Sequence, residues 1–307
     1  MNPLKGIALK LFAVMLFIAM SSLIKATSDH VPPGQAVFFR SVFAVPVILV
    51  WLALRGDLGT GLRVISPIGH FWRGVVGTTA MGLMFAGLGL LPLPEVTALS
   101  YAAPLLVVVF AAMFLDEKVG LVRMAAVGLG LIGVLVVLAP RLTTLTGEGV
   151  AAAEALGAIV VLMGATCAAL AQIYIRKLVQ TEQTSAIVFY FSMTASFLSL
   201  LTLPFGWVIP GGTETGLLIL AGLLGGTAQI FLTASYRFAD ASVIAPFDYA
   251  SMLFAIVIGY VIFDEVPTAQ MLAGAALIIA AGIAIILRER QLGLRRGGAR
   301  SVRTPQG

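Results

Sequence analysis

Apolar residues run through this chain in long blocks, not in the alternations or narrow stripes of a fold built for water. Windows of about 20 apolar residues, the length a helix needs to cross a bilayer, fall at 6–26, 34–54, 71–91, 96–115, 119–139, 156–175, 185–208, 217–238, 241–263 and 268–287. Charges and Pro/Gly breaks separate them, with one longer polar link, PRLTTLTGEG, after the fifth. The pattern predicts an all-α integral membrane protein of ten transmembrane helices. Lys5 ahead of the first block suggests a signal peptide, yet no A-x-A site follows and the block returns later in the chain. It is therefore expected to be a retained span.

That return is an internal repeat. At an offset of 151 residues, Gly6, Leu11 and Lys25 meet Gly157, Leu162 and Arg176, while Val37, Phe38, Ser41 and Ala44 meet Val188, Phe189, Ser192 and Ala195. At an offset of 148, Gly74, Gly77, Thr79 and Ala80 meet Gly222, Gly225, Thr227 and Ala228. Tyr101-Ala102 meets Tyr249-Ala250, and Asp116-Glu117 meets Asp264-Glu265. The change of offset falls in the loop RGDLGTGLRVISPIG, where an insertion is easily tolerated. Five spans per half is an odd number, so the second half must enter the membrane from the opposite side. The expectation is two inverted five-helix repeats, 1–139 and 156–287, with a periplasmic linker at 140–155 and a basic cytoplasmic tail at 288–307. Many secondary transporters alternate access through such repeats.

Composition agrees. The 307 residues are 60% apolar and only 11% charged, with a mean hydropathy of +1.05. A soluble domain needs roughly a quarter of its residues charged, so this surface faces lipid. The net charge of +5 does not imply nucleic acid, because six arginines sit in the tail: Arg288, Arg290, Arg295, Arg296, Arg300 and Arg303. With the N-terminus inside, cytoplasmic segments collect sixteen Lys and Arg, while the outside keeps Lys25 and Arg141. By the positive-inside rule both termini are cytoplasmic, and a bacterial inner membrane is the expected location. One cysteine, Cys167, and two histidines, His30 and His70, on opposite sides lead to an expectation of no metal and no cofactor. They also leave no cluster for a membrane-embedded enzyme, the remotest alternative.

A carrier needs a polar or aromatic cavity near the bilayer midplane, and polar residues inside spans are its candidates. Gln229, Thr233 and Tyr236 share one helix face by their i, i+4, i+7 spacing. Gln172 and Arg176 are four apart, and their repeat mates are Ser21 and Lys25. Tyr101 and Tyr249 are repeat mates that can line the cavity, where rings stack and hydroxyls bond; helix–helix bonding or an interfacial belt is the competing reading. Asp248 lies roughly 10 Å into its span, as a proton-coupling or amine-binding group or as a structural partner, for instance of Arg237. Ser100 holds the matching place. Arg40 is a gating or structural residue that can also meet a substrate carboxylate or snorkel to lipid heads; its mate is Phe191. The Asp-Glu pairs are expected to terminate interhelical turns, and the glycine clusters to serve packing and hinges.

Three stretches carry a family resemblance: LPLPEVTALSYAAPLLVVVFAAMFLDEKVGLVRMAAVGLGLIGVLVV, its second-half counterpart ADASVIAPFDYASMLFAIVIGYVIFDEVPTAQMLAGAALIIAAGIAII, and FFRSVFAVPV followed by HFWRGVVG. They resemble EamA domains of the drug/metabolite transporter superfamily, with Pro104, the acidic pair and a Gly-rich fifth helix as marks. The second half departs in having Met252 where the first has Pro104, with Pro246 earlier, so helix breaks are expected to differ between halves. Within the family the chain looks most like bacterial aromatic amino acid exporters of the YddG type. The resemblance implies a secondary transporter exporting amino acids or similar small metabolites. With no nucleotide-binding motif in the sequence, its energy must come from a gradient, protons being the candidate coupling ion, or from the substrate itself, and a monomer and a homodimer both stay open. An uptake carrier for S-adenosylmethionine or riboflavin is the alternative it leaves open.

Overall fold

The computed structural model describes residues 3–114, 120–142, 150–178, 181–238 and 245–301. Among them every regular element is helical, as lipid requires of a chain whose backbone N–H and C=O groups must be satisfied within each segment. Helices α1 (Pro3–Thr27), α2 (Pro33–Leu54) and α3 (Pro67–Leu90) are followed by α4 (Leu93–Ser100), α5 (Ala102–Phe114) and α6 (Leu121–Leu142). Then come α7 (Val150–Leu178), α8 (Thr184–Leu200), α9 (Gly212–Phe238), a 3₁₀ turn (Ala245–Tyr249), α10 (Ala250–Phe263) and α11 (Ala269–Ser301). Prolines open α2, α3 and α4, where the first turn has no intrahelical use for the missing N–H.

Among the described residues, eight helical segments are long and apolar enough to cross a membrane, α4 and α5 counting as one. Two apolar helices, Ser185–Leu200 and Phe247–Phe263, are shorter. Several expected boundaries are corrected. The seventh block reaches only Leu200, after which turns occupy 201–206, because Pro204 and Gly206 interrupt it. The linker expected at 140–155 is helical at both ends, since α6 runs to Leu142 and α7 starts at Val150. The expected tail continues α11 as far as Ser301.

Two helix breaks bring the halves together. The ring of Pro104 cannot accept the carbonyl of Ser100 four residues back, and the helix stops there, with Tyr101 between α4 and α5. In the second half the matching tyrosine, Tyr249, ends the 3₁₀ turn that precedes α10. α10 itself closes on Asp264 in the left-handed region (φ 54°), with Glu265 N–H returning to Gly259 O. Asp116-Glu117 lies outside the described residues.

Packing buries α1 against α9, α3 against α7 and α8, α2 against α8 and α9, and α6 against α11. Glycines set the close approaches. A Cβ on Gly74 would lie 2.5 Å from the Thr194 side chain, and one on Gly222 the same distance from Phe43. Phe43 and Thr194 are related by the 151 offset, so the α3–α8 contact recurs between α9 and α2. Outward, Leu253, Val257, Tyr260 and Val261 form an exposed apolar face on α10, as Leu131, Ile132 and Leu135 do on α6. Water would penalise such faces by about 25 cal/mol per Å²; lipid does not.

Candidate functional site

At one end of the bundle, the Lys25 end, half-buried cations stand against carboxylates. Lys25 Nζ at the end of α1 pairs with Glu265 Oε1 at 2.9 Å and donates to Leu88 O and Leu91 O, the last carbonyls of α3. Glu265 Oε2 accepts the N–H of Leu93 at the start of α4. One ion pair thus satisfies groups that two helix ends leave open. Beside it, Arg141 donates through Nε and Nη2 to both oxygens of Glu95 at 3.1 and 2.7 Å and also pairs with Glu154. Gln35 and Val208 exchange two hydrogen bonds across the same end. The Lys25 contacts join α1, the end of α3, the start of α4 and the segment after α10, those of Arg141 join α4, α6 and α7, and Gln35 joins α2 to the segment before α9.

At the opposite end Glu182 reaches from the α7–α8 loop to the first turn of α3. Its Oε1 accepts from Ile65 N–H (2.7 Å) and Ser66 N–H (2.6 Å) and lies 3.4 Å from His70 Nε2. Burial pushes this carboxyl up, but the Ser66 and Ile65 amides and His70 outweigh it and hold it below the usual range. Ser185 and Tyr190 add hydroxyl bonds to Gly61 O and Leu62 O.

Between the two ends lies a small cavity of about 20 Å³, room for one water or a compact head group. α2 lines it with Arg40, Ala44 and Ile48, α3 with Arg73, α8 with Val188, Phe191 and Ser192, and α9 with Gly225, Gly226 and Gln229. The Arg73 guanidinium carbon sits 3.9 Å from the Phe191 ring centroid and that of Arg40 sits 5.7 Å from it. Arg40 is only 6% exposed, so it is buried and does not snorkel. Nε and Nη1 of both arginines are buried without a hydrogen-bond partner, and among the described residues no carboxylate pairs with either.

Two glycines make this arrangement possible. A Cβ on Gly77 would lie 2.2 Å from Arg73 Nη1 and 2.9 Å from the Phe191 ring; one on Gly225 would lie 3.3 Å from Arg40 Nε. Gly77 and Gly225 are mates at the 148 offset, as Arg40 and Phe191 are at 151. Each half therefore contributes a glycine notch, and each notch holds an arginine.

The other sequence candidates are placed elsewhere. Tyr101 and Tyr249 do not face each other across open space: their rings touch edge to face, with centroids 5.0 Å apart, because both sit at helix breaks that cross. Tyr101 hydroxyl also bonds Ser251, and Tyr249 hydroxyl fills the space at Gly282. Asp248 pairs with Lys10 at 2.7 Å, and Lys10 is 2% exposed. Ser100 donates to Thr97 O within its own helix, Ser21 is half-buried, and Gln172 is exposed on α7. The side chains of Arg176, Thr233, Tyr236 and Arg237 lie outside the described ones.

Arg73 is the cavity residue that the apolar pattern does not single out, because a third block starting at 71 leaves it at the very edge of the span, among the cytoplasmic charges. α3 begins at Pro67, which puts Arg73 six residues, about 9 Å, inside the helix. Ser66-Pro67 is the N-terminal signal that moves the boundary.

Comparison with known proteins fits a membrane carrier. The EamA-like transporter family model matches residues 4–139 and 155–288, and a solute carrier family 35 model matches 93–205. The pseudopaline exporter of Pseudomonas aeruginosa is 30% identical over 91% of this chain and 95% of its own length. An S-adenosylmethionine uptake transporter of Rickettsia felis is 27% identical over 94% of both chains. A riboflavin transporter of Rhizobium johnstonii is 30% identical over 84% of this chain and 82% of its own. None of these three is named for aromatic amino acids. A solved crystal structure superposes with a TM-score of 0.64 at 20% identity over 91% of this chain and 96% of the other, which establishes a shared fold. The chain belongs to the EamA-like transporter family and is a membrane transporter.

Proposed function

We propose that the protein is a secondary carrier of small metabolites that works by alternating access around the Arg40–Arg73 cavity. The observation that carries this reading is the position of the cavity. It lies midway along the bundle, α2 and α3 of the first half form one wall, and α8 and α9 of the second half form the other. The ion pairs of Lys25 and Arg141 close one end, so the structure corresponds to a state shut on that side. Opening on that side requires those contacts to part while the Glu182 contacts at the other end hold.

In this reading the ten apolar segments are ten spans in two inverted halves, and the recurrence of the α3–α8 contact between α9 and α2 supports that symmetry. Loop charge places both termini, and hence the Glu182 end, in the cytoplasm of a bacterial inner membrane. The touching tyrosines act as the pivot where the two broken spans cross. Asp248, held by Lys10, is the group through which protons couple. Amino acids, aromatic ones included, and similar metabolites are the cargo class, and export is the direction supported by the pseudopaline exporter. An uptake carrier is the second reading, supported by the relatives named for S-adenosylmethionine and riboflavin.

Counterflow in proteoliposomes with a panel of labelled metabolites, with and without a proton gradient, tests this. Saturable exchange of at least one member is expected; no exchange of any member removes the carrier reading.

A further inference from the structure

We infer that the Arg40–Arg73 cavity binds the oxyanion head of its cargo, so that substrates with net negative charge are favoured over neutral, zwitterionic amino acids. The inference rests on the carrier reading and narrows it. Two guanidiniums lie against one aromatic ring, inside a segment of the bundle that lipid surrounds. Their Nε and Nη1 groups are buried and unpartnered. An arginine cannot shed its proton to escape this situation, and two like charges in a poorly solvated site repel each other. A pair of this kind persists where a partner of opposite charge comes and goes.

The shape and chemistry of the lining define that partner. Guanidinium forks match the oxygens of carboxylate and phosphate. Ser192 and Gln229 add neutral hydrogen-bonding groups, and no acidic residue stands among the lining residues. A simple amino acid would bring an ammonium group next to two cations with no carboxylate among the lining residues to balance it. A head bearing one or two negative charges, and no adjacent positive one, meets the site's needs. The space of about 20 Å³ suits such a head and not a whole metabolite, so the remainder of the cargo must extend along the path that opens.

The test uses the full-length protein in detergent and in proteoliposomes, with succinate, citrate, inorganic phosphate, L-leucine and L-leucinamide as probes. Thermal unfolding is followed at matched ionic strength against potassium chloride. At least one of the three oxyanions is expected to raise the melting temperature saturably, with no effect from leucine or leucinamide. Arg40→Gln and Arg73→Gln should each weaken that response about tenfold or more, the scale of a charge-assisted hydrogen bond, and Arg40→Lys should keep part of it. If a variant does not fold, the selectivity of the unaltered protein still decides. No response to any oxyanion, or one that both glutamine variants retain in full, overturns the inference. Exchange of leucine as fast as succinate in proteoliposomes overturns it too, while leaving the carrier standing. Oxyanion stabilisation without exchange of any probe removes the carrier and leaves the site.

Discussion

Lys25 and Arg141 stand at one end of the bundle, each against a carboxylate; Arg40 and Arg73 stand at its centre, against one ring and no carboxylate among the described residues. Cationic side chains therefore do different work at different depths. At the Lys25 end the cations complete helix termini and lock neighbouring helices, and the carboxylates there are spent on them. At the centre the positive charge is left unbalanced where solvation is poorest and cost is highest. In the carrier proposed above, the centre, with no carboxylate among the cavity's lining residues, is the place that receives cargo, and the paired end is the door that shuts over it.

Substitutions can break this contrast. The largest effect is expected from Arg141→Ala, which strands Glu95, buried and held by two bonds. Breaking such a pair costs about 3 kcal/mol, read as a lowered melting temperature, and Glu95→Gln in the same protein should return part of it. Lys25→Met removes donors from two carbonyls and from Glu265 at once, for about 2 kcal/mol. It should also shift the population toward opening at that end, seen as faster labelling of a cysteine placed at Ser192. An unchanged labelling rate would deny the door its role.

Gly225→Ala presses a methyl group toward Met20 and Arg40. Overpacking of this kind costs about 1–2 kcal/mol, and by moving Arg40 it should raise the half-saturating substrate concentration more than it lowers the maximal rate. Glu182→Gln is the mildest. The folded carboxyl is held below its unfolded value, so its contribution is present above the unfolded pKa, about 4.3, and fades as pH falls through the folded one. Melting temperatures of the two proteins should differ at pH 7 and converge as pH falls through the lowered folded pKa; a constant gap would show that the charge of Glu182 is not what stabilises the α3 terminus.

The membrane architecture is legible in the sequence because lipid imposes one rule on every residue of a span, and a block of 20 apolar residues obeys it without reference to the rest of the chain. The helix break at Tyr101 is legible for a similar reason, since Pro104 acts on a carbonyl four residues away. The glycine matches between the halves are visible as an offset, but not as notches, because a notch exists only once α9 lies against α2. Asp248 draws attention by its depth, yet its partner Lys10 is far away in sequence and is counted there among the cytoplasmic charges. Arg73 escapes through a boundary difference of four residues, the kind that apolar windows cannot avoid when a helix opens with polar residues.

The central claim is that the buried cavity meets each side of the membrane in turn. It is tested most directly by Ser192→Cys in a Cys167→Ser background, probed with a membrane-impermeant thiol reagent in right-side-out and inside-out vesicles. Ser192 is 1% exposed in the shut state, so labelling reports opening. The account predicts labelling from both sides, slowed on both by a transported substrate. Labelling from one side only under every condition, or from neither, would contradict it.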